Sequence, residues 1–354
     1  MWFEIFLIPA LLSFITTVLC VPFVIKFARK FDLMDDPKRH IHPAILHNKP
    51  IPRAGGLAIF FGIIASVLFF IPLDNLTTAL LVSGSLVVIT GILDDKYDLS
   101  PYLRFFINIV SAGIIVYGGI SIPFITNPLG GILHFSSFQI TLLQGFALRL
   151  EDILAIIWIV WVMNMLNWSK GVDGQMPGIA AISAIVIGLA SLRFIPLDGI
   201  NLVTSQLSFI VAGAAFGFLL FNFYPAKIFP GYSATILGFL LGVLSIMSGV
   251  KLATAVLVMG VPSVDALITI GRRLLSKKSP FKHDRGHLHH LLLNYGMGHR
   301  SIAVFYWAMS LLLGFVSLSA SSRGKLFAIL LVIVVVAGFV FMLRIAGKKE
   351  EEYD

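Results

Sequence analysis

The apolar run 153–163 leads directly into Asn164-Met-Leu-Asn-Trp-Ser-Lys170-Gly-Val-Asp173-Gly-Gln-Met-Pro-Gly178. The run is apolar enough to lie in a bilayer, and the following stretch places several polar residues and three glycines in one turn at its surface. Polar groups at the edge of lipid are costly, so such a cluster favours a ligand site. The glycines would let backbone N–H groups approach a phosphate. The alternative is an ordinary helix end followed by a solvated loop.

The composition of the whole chain indicates a polytopic membrane protein. Of 354 residues, 58% are hydrophobic and 12% are charged, and the mean hydropathy is +0.94. Soluble proteins fall well below these hydrophobicity values. The single cysteine, Cys20, excludes an intrachain disulfide framework and a Cys-based metal site. The net charge of +8 does not imply a nucleic-acid partner, because basic residues also orient membrane proteins.

Apolar runs of spanning or near-spanning length predict an all-α fold with about eleven transmembrane helices. The runs are 2–25, 54–73, 76–93, 103–120, 150–168, 176–193, 203–223, 232–249, 251–271, 301–319 and 324–344. No basic residue precedes the first run, so we expect a retained span there and not a cleaved signal peptide. The sequence therefore predicts one transmembrane domain over 1–346 and a tail over 347–354.

Lys and Arg are distributed unevenly between the loops. Of 26 such residues, 21 follow odd-numbered runs and five follow even-numbered runs. Because positive charge accumulates on the cytoplasmic side, this distribution predicts an outside N-terminus and a cytoplasmic C-terminus in the plasma membrane. The predicted cytoplasmic loops are 26–53, 94–102, 164–178, 224–235 and 272–300. Segment 121–149 lies on the other side and is predicted to form a turn or short hairpin at the interface.

Two adjacent carboxylates, Asp94 and Asp95, close the third apolar run. Neighbouring carboxylates repel each other unless a cation or a shared proton lies beside them. Hard oxygen ligands of this kind suit Mg²⁺ bound to a diphosphate. The alternative is a solvated acidic turn capped by Lys96.

The loop after the ninth run contains Lys282-His-Asp-Arg285-Gly-His287-Leu-His289-His290. A zinc site is disfavoured, because the last three histidines are one and two positions apart, without a cysteine or an H-E-x-x-H pattern. We favour an anion-binding loop in which Arg285 and the imidazoles contact phosphate oxygens. A basic loop that touches anionic lipid is the alternative. Lys49 and Arg53 form a further cation pair, just before Gly55-Gly56.

Five motifs occur in a fixed order and carry a resemblance. They are Pro52-Arg-Ala-Gly-Gly56, Gly91-Ile-Leu-Asp-Asp95, Asn164-x-x-Asn167 with Gly171-Val-Asp-Gly174, Phe221-Asn-Phe-Tyr-Pro-Ala-Lys-Ile-Phe229 and Asp284-Arg-Gly-His-Leu-His-His290. Together they resemble the polyprenyl-phosphate N-acetylhexosamine-1-phosphate transferases, the WecA/TagO/MraY superfamily, and above all its WecA/TagO branch. The resemblance spans nearly the whole chain, and five ordered motifs are far more specific than one.

The resemblance implies transfer of a sugar 1-phosphate, by default GlcNAc 1-phosphate, from a UDP-sugar to undecaprenyl phosphate, with release of UMP, for cell-envelope polysaccharide synthesis. Asp94 would bind or deprotonate the lipid phosphate, Asp95 would lie near Mg²⁺, and Asp173 would lie near the nucleotide base. Substrate contacts are expected from Lys49, Arg53, Asn164, Asn167, Gly171, Val172, Arg285, His287, His289 and His290. Members of the family often pair through apolar helices, which implies a homodimer.

Two positions depart from the family pattern. The family usually reads Asp-Gly-x-Asp-Gly where this chain begins with Lys170, and Met-Gly-Asp-x-Gly-Ser where this chain has Pro230-Gly-Tyr232-Ser-Ala-Thr235. The second missing aspartate is the family's main Mg²⁺ ligand. One hypothesis is that Lys170 acts in catalysis as the missing cation. A second is that Asp94, Asp95 and Asp173 hold the metal in a rearranged form.

Other functions also remain open from the sequence. In a third hypothesis the chain is a non-catalytic homologue that binds lipid phosphate or a nucleotide-sugar. A membrane transporter is the alternative from another class, although its inverted repeats and mid-membrane polar groups are not evident. Asp265 is the only acidic residue well inside a late run, where it is expected to pair with a nearby Lys or Asn or to serve function directly.

Overall fold

The computed structural model describes residues 3–38, 47, 49–127, 130–143, 146–193, 199–249, 252–279 and 286–350. A π-helical turn, Phe3–Leu7, opens this part of the chain. The α-helices within the described ranges are Ile8–Lys30 (α1), Gly55–Phe70 (α2), Asn75–Tyr97 (α3), Pro101–Tyr117 (α4), Leu150–Trp168 (α5), Gln175–Ser191 (α6), Gly199–Asn222 (α7), Thr235–Met247 (α8), Leu252–Val258 (α9), Gly260–Leu275 (α10), Leu288–Asn294 (α11), His299–Ser319 (α12) and Ser322–Glu350 (α13).

Each predicted apolar run coincides with one helix or, for the ninth run, with the pair α9 and α10, which meet at an angle of 82°. Six described helices are long and apolar enough to cross a membrane, and the bent pair could supply a seventh span. The helices α2, α4, α6 and α8 are shorter, with 13 to 17 residues each. The all-α polytopic membrane class is confirmed, whereas the count of eleven spans stays a prediction.

Short strands form three antiparallel pairs in the described chain. Met34–Asp35 (β1) pairs with Ile51–Pro52 (β2). Within segment 121–149, Phe124–Thr126 (β3) pairs with Ile132–His134 (β4), and Gln139–Leu143 (β5) pairs with Phe146–Arg149 (β6). A turn or a short hairpin was predicted for this segment, and the structure has two hairpins.

The last helix is longer than expected. It continues through Glu350, whereas the predicted domain boundary lies at 346. Lys and Glu are good helix formers, so nothing forces the helix to end where the apolar run ends.

Small residues let helices approach closely beside the polar loops, as is usual inside membranes. The backbone of Ser233, just before α8, lies between Gly56 of α2 and Gly91 of α3, and a Cβ atom added at either glycine would overlap it. α1 packs on α7 in the same manner, since a Cβ atom at Gly213 would overlap Ala10 O. The turn 230–234 is thus fixed by two helices at once.

The loops that follow odd-numbered runs meet on one face of the described molecule. Asp95 after the third run bonds to Tyr232 after the seventh, and Lys170 after the fifth bonds to Gly231. Lys325, which follows an even-numbered run, reaches Thr254 near the start of α9 at 2.6 Å. The structure therefore confirms that these odd loops share a face, while the side of the membrane that they occupy stays a prediction.

Candidate active site

The two adjacent carboxylates at the end of α3 are buried, with Asp94 7% and Asp95 8% exposed. The alternative of a solvated acidic turn is therefore wrong. Arg104 of α4 places one guanidinium nitrogen 3.2 Å from both oxygens of Asp94. Asp95 Oδ1 accepts a hydrogen bond of 2.9 Å from the backbone N–H of Tyr232. Asp95 Oδ2 is buried without a hydrogen-bond partner among the described residues.

Backbone hydrogen bonds fix the turn that faces these carboxylates. Three bonds of 2.8 to 3.1 Å join segment 52–56 to segment 229–230. Gly231 follows with a φ of +69°, in the left-handed region that glycine tolerates best. A Cβ atom there would also overlap the carboxylate of Asp95. This position therefore requires glycine for its backbone and for its space.

Lys170 reaches this turn from the end of α5, and its Nζ donates to Gly231 O at 3.2 Å. The same Nζ lies 5.8 Å from the ring centroid of Tyr232, and the guanidinium of Arg104 lies 5.2 Å from that centroid. Asn108 donates to the Tyr232 hydroxyl at 3.1 Å. Tyr232 is thus a buried phenol whose ring contacts two cations.

The protonation of Lys170 and Tyr232 follows from their surroundings. Burial lowers the pKa of the Lys170 ammonium to about 8, because the attraction of Asp95 and Asp94 only partly opposes desolvation. The ammonium therefore predominates at pH 7. Burial raises the pKa of the Tyr232 phenol to about 12, so this side chain stays neutral at pH 7.

Lys49 and Arg53, the cation pair predicted just before the second run, lie in different surroundings in the structure. Arg53 forms an ion pair of 2.9 Å with Asp35 and is within electrostatic range of Asp95. Lys49 is exposed, and its carbonyl oxygen lies 2.8 Å from His47 Nδ1. Arg53 therefore belongs to the edge of the cluster, whereas Lys49 lies at the surface. Arg285 falls within 280–285, outside the described residues.

The loop 171–174 is held by the loop that follows α7. Asp173 Oδ2 accepts a bond of 3.0 Å from Ala226 N. Asn222 accepts from Gly174 N at 3.0 Å and donates to Ile228 O at 2.9 Å. Burial raises the pKa of the Asp173 carboxyl, which the bond from Ala226 opposes. A small cavity opens here, lined by Lys170, Val172, Asp173, Met176, Asn222, Phe229 and Pro230.

The three predicted histidines are buried around the start of α11. His287 Nδ1 lies 2.8 Å from Asp265 Oδ2, and Asp265 Oδ1 accepts a 2.8 Å bond from Leu288 N. The rings of His287 and His289 are parallel, 5.4 Å apart. Their burial argues against the lipid-contact alternative. Asp265 therefore has a pairing role, as one of the two expectations held, but its partner is His287 and not the Lys or Asn given as the example.

The histidine helix also contacts the glycine loop. A Cβ atom at Gly171 would overlap the ring of His289, so only a glycine at this position leaves room for the imidazole. Burial lowers the pKa of His289 well below its usual range, and His290 and His287 add to this effect. The imidazole of His289 is therefore neutral at pH 7, and it offers hydrogen bonds without formal charge.

The two predicted asparagines of α5 differ in their surroundings. Asn164 Nδ2 donates to Val160 O at 2.8 Å, one turn back in its own helix. Asn167 Oδ1 is buried without a hydrogen-bond partner among the described residues. The unpaired Oδ1 of Asn167 could accept a hydrogen bond from a ligand.

Sequence reasoning did not select Arg104, Asn108 or Asn222 as site residues. Arg104 and Asn108 are four positions apart in an otherwise apolar helix, a spacing that places both on one face. A polar pair on one face of an apolar helix was therefore a usable signal. Asn222 gave a weaker signal, since it only ends an apolar run.

The residues present do not fit the Mg²⁺ ion that the family resemblance implies. Mg²⁺ needs near-octahedral oxygen ligands, yet position 232 offers a neutral phenol and Asp94 is paired with Arg104. The ammonium of Lys170 adds a positive charge on the same turn, where its Nζ donates to Gly231 O. Among the described residues, no three His, Cys, Asp or Glu side chains are grouped so that they could hold a metal ion.

Comparison with known proteins shows the family to which the chain belongs. The model of Glycosyl transferase family 4 matches residues 77–249, which include both carboxylates, Lys170 and Tyr232. The chain is 34% identical over 321 residues to a "Probable undecaprenyl-phosphate N-acetylglucosaminyl 1-phosphate transferase" of Bacillus subtilis, covering 88% of this chain and 82% of that protein. It belongs to Glycosyl transferase family 4.

Other members of Glycosyl transferase family 4 are similar over most of their length. A "Decaprenyl-phosphate N-acetylglucosaminephosphotransferase" of Mycobacterium tuberculosis is 30% identical, covering 87% of this chain and 82% of that protein. An "Undecaprenyl-phosphate alpha-N-acetylglucosaminyl 1-phosphate transferase" of Thermotoga maritima is 29% identical, covering 78% of this chain and 77% of that protein. The resemblance found in the motifs is confirmed, and the chain is a phosphoglycosyltransferase by family.

Proposed function

We propose that the protein transfers GlcNAc 1-phosphate from UDP-GlcNAc to undecaprenyl phosphate, giving undecaprenyl-diphosphate-GlcNAc and UMP for cell-envelope polysaccharide synthesis. The named activities of the relatives support the sugar phosphate and the lipid acceptor. The observation that carries the proposal is the buried pair Asp94 and Asp95, surrounded by three cationic side chains. Buried carboxylates beside cations suit a reaction between two phosphates, where charge must be neutralised.

In the proposed reaction an oxygen of the lipid phosphate attacks the β-phosphorus of the UDP-sugar. The bond from that phosphorus to the bridging oxygen breaks, and UMP leaves with this oxygen. Asp94 accepts the proton of the lipid phosphate, and Arg104 holds its carboxylate in place. Phosphoryl transfer depends mainly on positioning and charge neutralisation, which the cations Arg53, Arg104 and Lys170 provide.

The UDP-sugar is proposed to lie against the surface where the glycine loop and the histidine helix meet. The nucleotide base is proposed to contact Val172 and Asp173 beside the small cavity. The neutral imidazole of His289 donates to the diphosphate oxygens, together with the rings of His290 and of His287, which Asp265 holds. Arg285 stays a predicted phosphate contact, and Asn167 stays a predicted contact through its unpaired Oδ1.

The site is proposed to face the cytoplasm at the plasma membrane, since the loops that form it carry most of the basic residues. A lipid acceptor could then reach it along the apolar helix surfaces. Pairing of two copies through such surfaces remains part of the proposal.

A non-catalytic homologue is the second candidate, and the pair Lys170 and Tyr232 is the observation that favours it. Both positions normally carry aspartate in the family, and losing a metal ligand can abolish turnover while leaving binding intact. Such a protein would bind UDP-sugar and lipid phosphate without forming a product.

The decisive experiment incubates purified full-length protein with radiolabelled UDP-GlcNAc and undecaprenyl phosphate, and follows both lipid-linked product and UMP. Asp94→Asn should lower kcat by about 10²- to 10⁴-fold, the range lost with a general base. The matched control is Asp98→Asn, at the exposed C-cap of the same helix, where asparagine tolerates the left-handed backbone.

Product from the unaltered protein and from Asp98→Asn, but not from Asp94→Asn, supports the proposal. UDP-GlcNAc binding without product, repeated with UDP-GalNAc and a bacillosamine-type donor, would establish the non-catalytic homologue instead.

A further inference from the structure

We infer that this transferase works without a divalent metal ion, because the ammonium of Lys170 provides the cation in the chain itself. The inference rests on the proposed function and concerns the same site. It follows from the charges around the turn 230–234, the contacts of Lys170 and the state of Tyr232.

The charge of the cluster argues against a bound divalent cation. Arg53 is neutralised by its ion pair with Asp35, so Arg104 and Lys170 contribute two positive charges against the two negative charges of Asp94 and Asp95, and the cluster is neutral without a metal ion. A divalent cation would bring the cluster to two positive charges in a partly buried setting, where repulsion is strong.

With aspartates at 170 and 232, the same cluster would carry one positive and four negative charges, apart from the Arg53–Asp35 pair. A divalent cation would then offset two of the three excess negative charges. In this chain, Lys170 and Tyr232 stand at these two positions. The excess negative charge that a metal ion would offset is therefore absent, and so is one carboxylate that would bind the ion. Both residues contact each other across the same turn, so they act on one position.

Lys170 is held where an ammonium can serve as a fixed charge. Its Nζ bonds to Gly231 O, and Gly231 in turn is packed against the carboxylate of Asp95. The side chain also lines the small cavity beside which the nucleotide base is proposed to lie. An ammonium is a compact charge with several donors, so it can contact both a phosphate oxygen and the backbone without changing its protonation.

Tyr232 cannot replace the missing aspartate as a metal ligand. Its hydroxyl accepts from Asn108, and its ring faces Arg104 and Lys170. The hydroxyl is engaged by Asn108, and the side chain is only 5% exposed, so the site presents a packed ring at this position and not a carboxylate. The ring fills the space beside the turn and keeps both cations against its surface.

In the reaction, Lys170 exchanges no proton and forms no covalent bond. The P–O bond to the lipid phosphate forms while the P–O bond to UMP breaks, and the ammonium compensates the charge that develops on the phosphate oxygens. A point charge replaces the charge of a metal ion but not its octahedral template. Positioning must therefore come from the backbone and the histidines.

The test compares turnover of the purified full-length protein in excess EDTA and in Mg²⁺, together with Mn²⁺ binding followed by electron paramagnetic resonance. We expect turnover in EDTA within about twofold of that in Mg²⁺, and no bound Mn²⁺ with or without UDP. The double variant Lys170→Asp with Tyr232→Asp should bind Mn²⁺ and lose any turnover in EDTA.

Replacing Lys170 alone tests whether its charge contributes to turnover. Lys170→Ala should lower kcat in EDTA by about 10²- to 10³-fold, as for other fixed donors to a developing charge. Lys227→Ala removes an exposed lysine from the neighbouring loop and should retain full turnover.

The outcomes distinguish this inference from the proposed function. Turnover that disappears in EDTA and returns with Mg²⁺ overturns the inference and leaves the proposed function standing. If no product forms under either condition, the proposed function fails, and UDP binding decides the inference. Binding of UDP in EDTA, measured by thermal shift, supports a metal-free site, whereas binding that requires Mn²⁺ overturns it.

Discussion

At the scale of single residues, buried pairs decide what the site can do. Asp95 touches the backbone of Tyr232 while Asp94 touches Arg104, so two adjacent carboxylates have separate partners. Like charges at neighbouring positions are tolerable when each has its own compensation. The same principle applies at His287, whose orientation depends on Asp265.

Asp265→Asn tests whether His287 is positioned for the donor diphosphate. The amide can retain only one of the two acceptor roles, so the ring should lose its fixed orientation. We expect KM for the UDP-sugar to rise on the order of tenfold, equivalent to about 1.4 kcal/mol, with a smaller change in kcat. Steady-state kinetics with varied UDP-GlcNAc measures this split.

The control for this substitution is Asp74→Asn at the N-cap of α3. Asp74 accepts from Thr77 N, and asparagine caps a helix equally well. Its KM should equal that of the unaltered protein. An unchanged KM in Asp265→Asn would mean that His287 has no contact with the donor.

Most site residues could be predicted from the sequence, and the exceptions have physical reasons. Asp94, Lys170 and Asp173 were evident because charged groups beside apolar runs are rare. Asp35 and Asn222 were not, since a polar residue between two apolar runs or at the end of one has many ordinary roles. The surface position of Lys49 and the local bond of Asn164 depend on packing that no sequence spacing reveals.

At the scale of elements, close contacts between helices and one turn set the geometry. Gly91 of α3 lies so near Ser233 that no Cβ atom fits, while nothing lies within 4 Å of the corresponding position at Gly113 of α4. These two glycines therefore have opposite roles in packing, although both lie inside helices.

Gly91→Ala should destabilise the protein by about 1–3 kcal/mol, the cost of overpacking a fixed contact. It should also lower turnover, because α3 carries Asp94 and Asp95. Thermal unfolding of detergent-purified protein measures the first effect. In Gly113→Ala, the unfolding temperature should stay constant or rise, since alanine favours a helix over glycine by roughly 1 kcal/mol. Equal stability of both variants would contradict the packing described here.

Helix existence was predictable from the apolar runs, whereas helix length and breaks were not. The bend of 82° between α9 and α10 falls inside one continuous apolar run. Hydropathy averages over such a break, because both halves are apolar. The strand pair β1–β2 is similarly invisible, since two residues on each side carry no periodic pattern.

At the scale of the whole molecule, the orientation in the membrane is the main prediction left open. Cys20 is the single cysteine, so Cys20→Ser provides a background without thiols. Ser136→Cys in segment 121–149 should react with a membrane-impermeant maleimide added to intact cells. Lys278→Cys, in the exposed loop after α10, should react only after the cells are permeabilised.

The reverse labelling pattern would place the site outside the cell and would contradict the charge distribution. Reaction of both cysteines in intact cells would instead indicate leaky membranes, which labelling of a cytoplasmic marker protein detects. The experiment therefore needs that marker in each sample.

The position of Ser233 between Gly56 and Gly91 has a consequence for how such an enzyme could evolve. The turn contacts Gly56 of α2 and Gly91 of α3 through the backbone at 233–234, so these two contacts do not depend on which side chain stands at 232. The backbone atoms of the turn thus determine how it packs on α2 and α3, whereas the side chain at 232 affects the chemistry of the site. Two substitutions could therefore replace a bound metal ion by the charge of a lysine side chain while the protein keeps its fold.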